Sequence, residues 1–240
     1  MDNKGYTDIH CHVLFGVDDG AQSMDESVRM LRQMYDEGIR EAILTPHYHR
    51  GHAQADVAKI HKRFDELCEY AAYDEKAGAI RLHLGCELYY YPSATEWLDE
   101  GSVLSMAGSR YVLLEFGFTM DKRLINEGVS NVVRAGYIPI LAHVERYEGL
   151  KFKVSNVREL VDMGALIQIN SESVGFALRG RKSFTAKLLR EGIVHFVATD
   201  AHDTMGRAPR LAKAAGYIAK HYGEDYCRKL FYENAAEIIE

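Results

Sequence analysis

The chain has 240 residues, 47% of them apolar and 27% charged, with 29 Lys+Arg against 35 Asp+Glu and a formal net charge of −6. That composition excludes disordered and fibrous classes, and at this length one core buries roughly 70–75% of the surface an unfolded chain exposes, so residues 1–240 are expected to form a single domain. No apolar run approaches the roughly 18–20 residues of a membrane span, the opening Met1-Asp2-Asn3-Lys4 has no secretory pattern, and mild acidity gives no electrostatic footprint for nucleic acid or anionic lipid.

Short apolar runs alternate with longer segments of helical period. The first strand-like run is Thr7–Leu14. A helix is expected over Met24–Ile39, where Val28, Leu31, Met34 and Ile39 stripe one face. Ser23 and Glu26 have capping-box spacing at its start, and Gly38 is a C-terminal stop. Then come a strand over Glu41–His47 and a second helix through Val57, Ile60, Phe64, Leu67 and Ala71. Further strand-like runs are Ile80–Tyr90, Tyr111–Gly117, Ile138–Val144, Ala165–Asn170 and His195–His202, each followed by helical sequence. Strands separated by helices are expected to be parallel neighbours, and runs as continuously apolar as Tyr111-Val112-Leu113-Leu114 suit strands covered on both faces. The pattern reads as an α/β barrel of the β/α type, with an open doubly wound sheet as the alternative.

Six of the seven apolar runs end in a residue able to bind metal: His10-Cys11-His12, His47, Glu87, Glu115, His143 and Asp200-Ala201-His202. Strand alternation turns His10 and His12 the same way, and Asp200 with His202, while Cys11 faces the core. In a β/α barrel all strand C-termini open on one face, so these residues would converge on one cup. Imidazole and carboxylate without thiolate suit zinc, manganese or iron. The number of ligands points to a cluster of two or three ions, the arrangement that clamps a phosphate and supplies hydroxide for in-line displacement.

Competing chemistries are absent from the chain. Six residues beyond Cys11, Cys68, Cys86 and Cys227 stand Val17, Asp74, Pro92 and Glu233, so no cysteine is framed by the arginine of a cysteine phosphatase loop. There is no Gly-Lys pair for a P-loop, and no GxGxxG, HExxH or GxSxG. With no CxxC spacing, the four cysteines read as reduced thiols of a cytoplasmic protein.

The ordered motifs Asp8-Ile9-His10-Cys11-His12, Asp18-Asp19-Gly20, Thr45-Pro46-His47, Gly85-Cys86-Glu87, Leu114-Glu115-Phe116, Ala142-His143-Val144-Glu145-Arg146 and Thr199-Asp200-Ala201-His202 span nearly the whole chain. Together they resemble the PHP (polymerase and histidinol phosphatase) superfamily, and within it the manganese-dependent protein-tyrosine phosphatases of Gram-positive bacteria, the CpsB/YwqE type. The resemblance implies a distorted TIM-like (β/α)7 barrel and a trinuclear manganese site, with iron or zinc as alternatives. It implies that His10, His12, Glu87 and Asp200 hold one ion, that Glu87 bridges to a second bound by Glu115 and His143, and that Asp19, His47 and His202 hold the third. The choice of Asp19 over Asp18 rests on matching Asp-Asp-Gly. Arg146 and Arg207 match the family's phosphate-binding arginines, and the implied nucleophile is a metal-bound hydroxide.

The implied activity is hydrolysis of phosphotyrosine in proteins, with an autophosphorylated bacterial tyrosine kinase controlling capsule or exopolysaccharide synthesis as substrate. The alternatives are another phosphoesterase of the superfamily, such as a histidinol-phosphate or nucleotide phosphatase, and a phosphotyrosine-binding module without turnover. His49 and Arg50, beyond His47, are candidates to touch substrate; Phe15 and Tyr89-Tyr90-Tyr91 are candidates to flank an aromatic leaving group. His61, His83, His195 and His221 are assigned no chemistry.

Overall fold

The computed structural model describes residues 5–49, 56–175 and 179–240. Its strands are β1 (Tyr6–Cys11), β2 (Ile39–Leu44), β3 (His47–Tyr48), β4 (Arg81–Leu84), β5 (Glu87–Tyr89), β6 (Tyr111–Glu115), β7 (Ile138–Leu141), β8 (Leu166–Asn170) and β9 (Phe196–Ala198). The helices between them are α1 (Met24–Asp36), α2 (Val57–Ala71), α3 (Ala94–Asp99), α4 (Lys122–Arg134), α5 (Val154–Asp162) and α6 (Arg179–Arg190). After β9 come α7 (Ala212–Tyr222), α8 (Glu224–Arg228), a π-helical turn over Lys229–Glu233, and α9 (Asn234–Ile239). No helix of the described residues is long and apolar enough to cross a membrane.

Every strand pairing is parallel: β1 with β2, β2 with β4, β3 with β5, then β5, β6, β7, β8 and β9 in succession. β2 and β3 are one strand interrupted at Thr45-Pro46, where proline has no N–H to donate. Hydrogen bonding carries on across the interruption: Thr45 N–H donates to Cys11 O at 2.9 Å and Glu87 N–H to Pro46 O at 3.0 Å. β4 and β5 are likewise one strand kinked at Gly85-Cys86. A Cβ at Gly85 would come within 3.0 Å of Met106 Sδ and 3.3 Å of Ile43 Cγ2, so glycine lets Met106 pack into the bend. Counted this way, seven strands remain, one for each apolar run of the sequence.

The ring then closes. Cys11 bridges in parallel to Ala201, His12 N–H donates to Ala201 O at 2.8 Å, and Asp200 N–H donates to His10 O at 2.8 Å. The fold is therefore a distorted β/α barrel, not the open doubly wound sheet. The distortion lies in the two kinks and in a register shift of β1 between Asp8 and Cys11. Two apolar layers hold it. Ile9, Ile43, Leu113, Ile140, Phe196 and Ala198 fill the lumen with Met106, Ala235 and Ile238, so α9 seals one end. The larger layer packs the helices onto the outside of the strands through residues such as Leu31, Leu67, Val129, Leu160 and Leu188.

Several strands are shorter than the sequence pattern suggests. The runs Thr7–Leu14, Ile138–Val144 and His195–His202 stop at Cys11, Leu141 and Ala198, because the chain turns out of the ladder into loops. His143 (φ 32°) and Asp200 (φ 52°) adopt left-handed backbone, a conformation apolar patterning does not report. Helix α1 ends at Asp36, not Ile39: Gly38 (φ 85°) reverses the chain and Ile39 opens β2. Its capping box is also altered. Ser23 Oγ accepts from Glu26 N–H at 3.3 Å, but the Glu26 carboxylate accepts from Gln22 N–H at 2.9 Å instead of returning to Ser23.

Candidate metal centre

The strand C-termini open on one cup. His10 stands in β1 and His12 one residue past it; His47 opens β3, Glu87 opens β5, Glu115 closes β6, and His143, Asp200 and His202 follow β7 and β9. Asp19 arrives on the loop after β1. All nine fall into four overlapping groups whose ligand atoms lie within 4.8 Å of one another: His12, Asp19, His47 and His202; His10, His12 and Asp200; His10, Glu87 and His143; His47, Glu87 and Glu115. His12 thus reaches both the Asp200 and the Asp19 ends of the cup, where the resemblance assigned it to one ion, and His10 also approaches His143.

The atoms converge on shared points, not on each other. Glu87 Oε2 lies 3.3 Å from His10 Nε2, 3.4 Å from His12 Nε2 and 2.9 Å from His47 Nδ1, yet it has no hydrogen-bond partner, and neither do His143 Nδ1 and His202 Nε2. His10 Nε2 and His12 Nε2 face each other at 3.3 Å. Buried polar atoms without partners are costly, and divalent cations satisfy Glu87 Oε2 and His202 Nε2; His143 turns its Nε2 to the cup, 2.9 Å from Glu87 Oε1. The residues present therefore fit the group that their chemistry suggests.

The outer nitrogens are fixed so that the inner ones face the cup. Asp18 Oδ2 meets His12 Nδ1 at 2.7 Å, and the backbone oxygen of Asp200 meets His202 Nδ1 at 2.9 Å. Both neighbours only accept, so the proton sits on Nδ1 and Nε2 keeps its lone pair. Asp18 also accepts from the N–H groups of His47 and Gly20, each at 2.9 Å, so it braces the cup from behind. Asp19 is the member of the Asp18-Asp19 pair whose carboxylate faces in, 3.3 Å from His47 Nε2 and 3.5 Å from His202 Nε2. Gly20 has to be glycine, because a Cβ would sit 2.1 Å from His12 O. Replacing Asp18 with alanine should weaken Mn2+ binding about 10–100-fold in calorimetric titration, with the far-ultraviolet dichroism of the fold retained.

The electrostatics demand positive charge. Burial and the neighbouring Glu87 push Glu115 up to about 7. Burial opposes charge on His10 and His47, but Glu87 outweighs it and raises them to about 9 and about 11. Burial also opposes ionisation of Asp200, yet the facing imidazoles, His10 first, hold it below the usual carboxylate range. At the mouth, Arg146 Nη1 and Arg207 Nη2 meet opposite oxygens of Asp200 at 3.3 and 2.9 Å. Arg146 also lies over the Phe118 ring, 4.4 Å from its centroid.

Sequence reasoning missed Gln168 and Asn170 of β8, the strand without a ligand. Gln168 Oε1 lies 3.2 Å from His10 Nδ1 and accepts from His143 N–H at 2.7 Å. Gln168 Nε2 donates to Asn170 Oδ1 at 2.9 Å, and Asn170 Nδ2 donates to Asp200 Oδ2 at 2.8 Å. The available signal was two amides spaced by two within an apolar strand, which puts both on the lumen face. Among the rim candidates, His49 stacks on Tyr89 with centroids 4.3 Å apart and Tyr91 adjoins both. Tyr90 turns inward against Phe116, and Phe15 is buried under Arg63, so neither flanks the cup. Arg50 lies outside the described residues. His83 pairs with Glu41, and His195 Nδ1 accepts from Ile167 N–H, away from the cup.

A family model described as capsular polysaccharide synthesis, CpsB/CapC, matches residues 6–240. The tyrosine-protein phosphatase CpsB of Streptococcus pneumoniae is 36% identical over 238 residues, covering 97% of each chain. The tyrosine-protein phosphatase YwqE of Bacillus subtilis is 32% identical over 221 residues, 91% of this chain and 85% of that one. Among solved structures, one from a study of YwqE and CpsB as metal-dependent tyrosine phosphatases superposes with a TM-score of 0.90 at 31% identity, over 97% of this chain and 94% of that one. The phosphotriesterase homology protein of Escherichia coli superposes at 0.67 with 11% identity over the whole of both chains, a likeness of fold alone.

Proposed function

Because the chain belongs to the CpsB/CapC family of capsular polysaccharide synthesis proteins, we propose that it hydrolyses phosphotyrosine in proteins, with manganese in the cup and Arg146 and Arg207 on the phosphate. One observation carries this reading: nine imidazoles and carboxylates from six strands of one barrel converge beneath two guanidinium groups. Divalent cations held by these residues would supply Lewis-acid charge for a phosphoryl group and would activate water near neutral pH.

The chain's own residues do the rest. Asp200 fixes both guanidinium groups at the mouth through one nitrogen each, and the five donors of a guanidinium leave capacity for phosphate oxygens. There they stabilise the charge that grows on the equatorial oxygens during displacement. The stacked rings of His49 and Tyr89, with Tyr91 and the half-exposed Phe118, flank the mouth with the aromatic surface a phenolic leaving group needs. The biological substrate we infer is an autophosphorylated bacterial tyrosine kinase that controls capsule or exopolysaccharide assembly, met in the cytoplasm. The support is the family and the names of its relatives.

The test is turnover of a phosphotyrosine peptide, histidinol phosphate and para-nitrophenyl phosphate, each with Mn2+ and with a chelator. Mn2+-dependent cleavage favouring the peptide is expected. A preference for histidinol phosphate, or retention of the peptide without cleavage, overturns the reading.

A further inference from the structure

We propose that Gln168 and Asn170 are positioning residues that work as one relay, locking the two strained ligands, His143 and Asp200, and the ring proton of a third ligand, His10, into the geometry that accepts metal. The proposal rests on the cup being a cation site, as the proposed function requires.

The relay runs from His10 and the His143 backbone through Gln168 and Asn170 to Asp200. Its sense is fixed by chemistry. The His143 N–H can only donate, so the Gln168 oxygen must face it and the Gln168 NH2 must face Asn170. Asn170 must then present its own NH2 to the Asp200 carboxylate, which only accepts. No amide in this chain can flip without setting donor against donor. The same Gln168 oxygen faces His10 Nδ1, so one ring proton is held there and Nε2, which faces Glu87 and Asp200, is the nitrogen left to take a metal.

The two ends of the relay are the two strained residues of the cup. Left-handed backbone at a residue other than glycine is strained and persists only where its surroundings over-determine it. At His143 the N–H has left the strand ladder and is taken by Gln168. At Asp200 the carboxylate is taken by Asn170 as well as by the two arginines. The Asn170 backbone is itself anchored, its N–H donating to Glu145 Oε1 at 2.9 Å. Gln168, Asn170 and Glu145 are all buried, so the relay competes little with water.

The experiment measures Mn2+ binding by calorimetric titration, with the thermal midpoint of the metal-free protein alongside. Gln168→Met preserves volume and removes both polar ends. It should weaken Mn2+ binding about 10–100-fold, the usual loss on removing a support of metal ligands. Gln168→Glu keeps an acceptor for His10 and His143 but loses the donor to Asn170, so it should recover only part of that loss. Asn170→Leu should weaken binding similarly, and Gln168→Met with Asn170→Leu should cost much less than the two losses combined, as members of one network do.

A relay that merely stabilised the fold would lower the metal-free midpoint and leave affinity unchanged. Wild-type affinity in Gln168→Met, or equal weakening by Met and Glu, overturns the proposal. If Gln168→Met does not fold, the Asn170→Leu titration decides by the same criterion. If the wild-type protein itself takes up no Mn2+, it is the reading of the cup that fails.

Discussion

Replacing Glu87 with glutamine should reduce phosphatase turnover by on the order of 10³-fold or more and lower the number of ions retained after gel filtration. Glu87 belongs to two of the four ligand groups, approaches His10, His12, His47 and His143, and is fully buried. Loss of a single charge-stabilising donor in an active site costs about 10²–10³-fold, and one carboxylate shared between two groups removes more than one such interaction. Burial disfavours its charge, but His10 and His47 hold Glu87 well below the ordinary carboxylate range, so it is ionised throughout the working pH range. Without metal, the variant should also be less stable, by about 3–5 kcal/mol, because the imidazolium partners of Glu87 remain buried and lose their counter-charge. Metal analysis, steady-state kinetics and urea melts of metal-free protein check the three parts separately. Full turnover with full metal content would remove Glu87 from the centre.

Arg146→Ala and Arg207→Ala should each lower kcat/KM for a phosphotyrosine peptide by about 10²–10³-fold, equivalent to about 2.7–4 kcal/mol of transition-state stabilisation. Metal content should be unchanged, since neither guanidinium belongs to a ligand group. Because both arginines meet the same carboxylate, the double replacement should cost less than the two single effects combined. Lysine at either position should restore only part of the loss, because an ammonium cannot offer the planar fork that matches two phosphate oxygens. Arg146→Lys also forfeits the stack on Phe118 and should be the more damaging of the two lysine variants. An arginine variant with wild-type kcat/KM would exclude that residue from phosphate binding.

Much of this was written in the residue pattern. Each of seven apolar runs became a strand, and the runs that end in imidazole or carboxylate deliver those groups to one face, because a parallel barrel leaves its strand ends nowhere else to go. The resemblance to the family is borne out by the family model and by relatives over nearly the full length. What stayed hidden depends on backbone geometry. Nothing in Ala142-His143-Val144 or Thr199-Asp200-Ala201 announces a left-handed turn, so the apolar pattern predicts both strands longer than they are. The kink at Gly85-Cys86 and the register shift in β1 arise from packing between distant segments, Met106 among them. A pattern of metal-ligand residue types gives no weight to the amides of Gln168 and Asn170. Their importance lies in what they hold, and that only appears once β7, β8 and β9 stand side by side.

The seam between the first and last strands also sets an order of events during synthesis. Asp200 and His202, the groups that complete the surroundings of His10 and His12, are translated nearly two hundred residues after them. A nascent chain halted before β9 therefore carries seven of the nine groups but lacks Asp200 and His202, and its lip stays open where they belong. Cys11 and Ala201, which bridge at this seam, stand nearly two hundred positions apart, and contacts of such long range are slow to form. Activity should accordingly emerge in a single step once β9 has joined β1, not build up as the polypeptide lengthens.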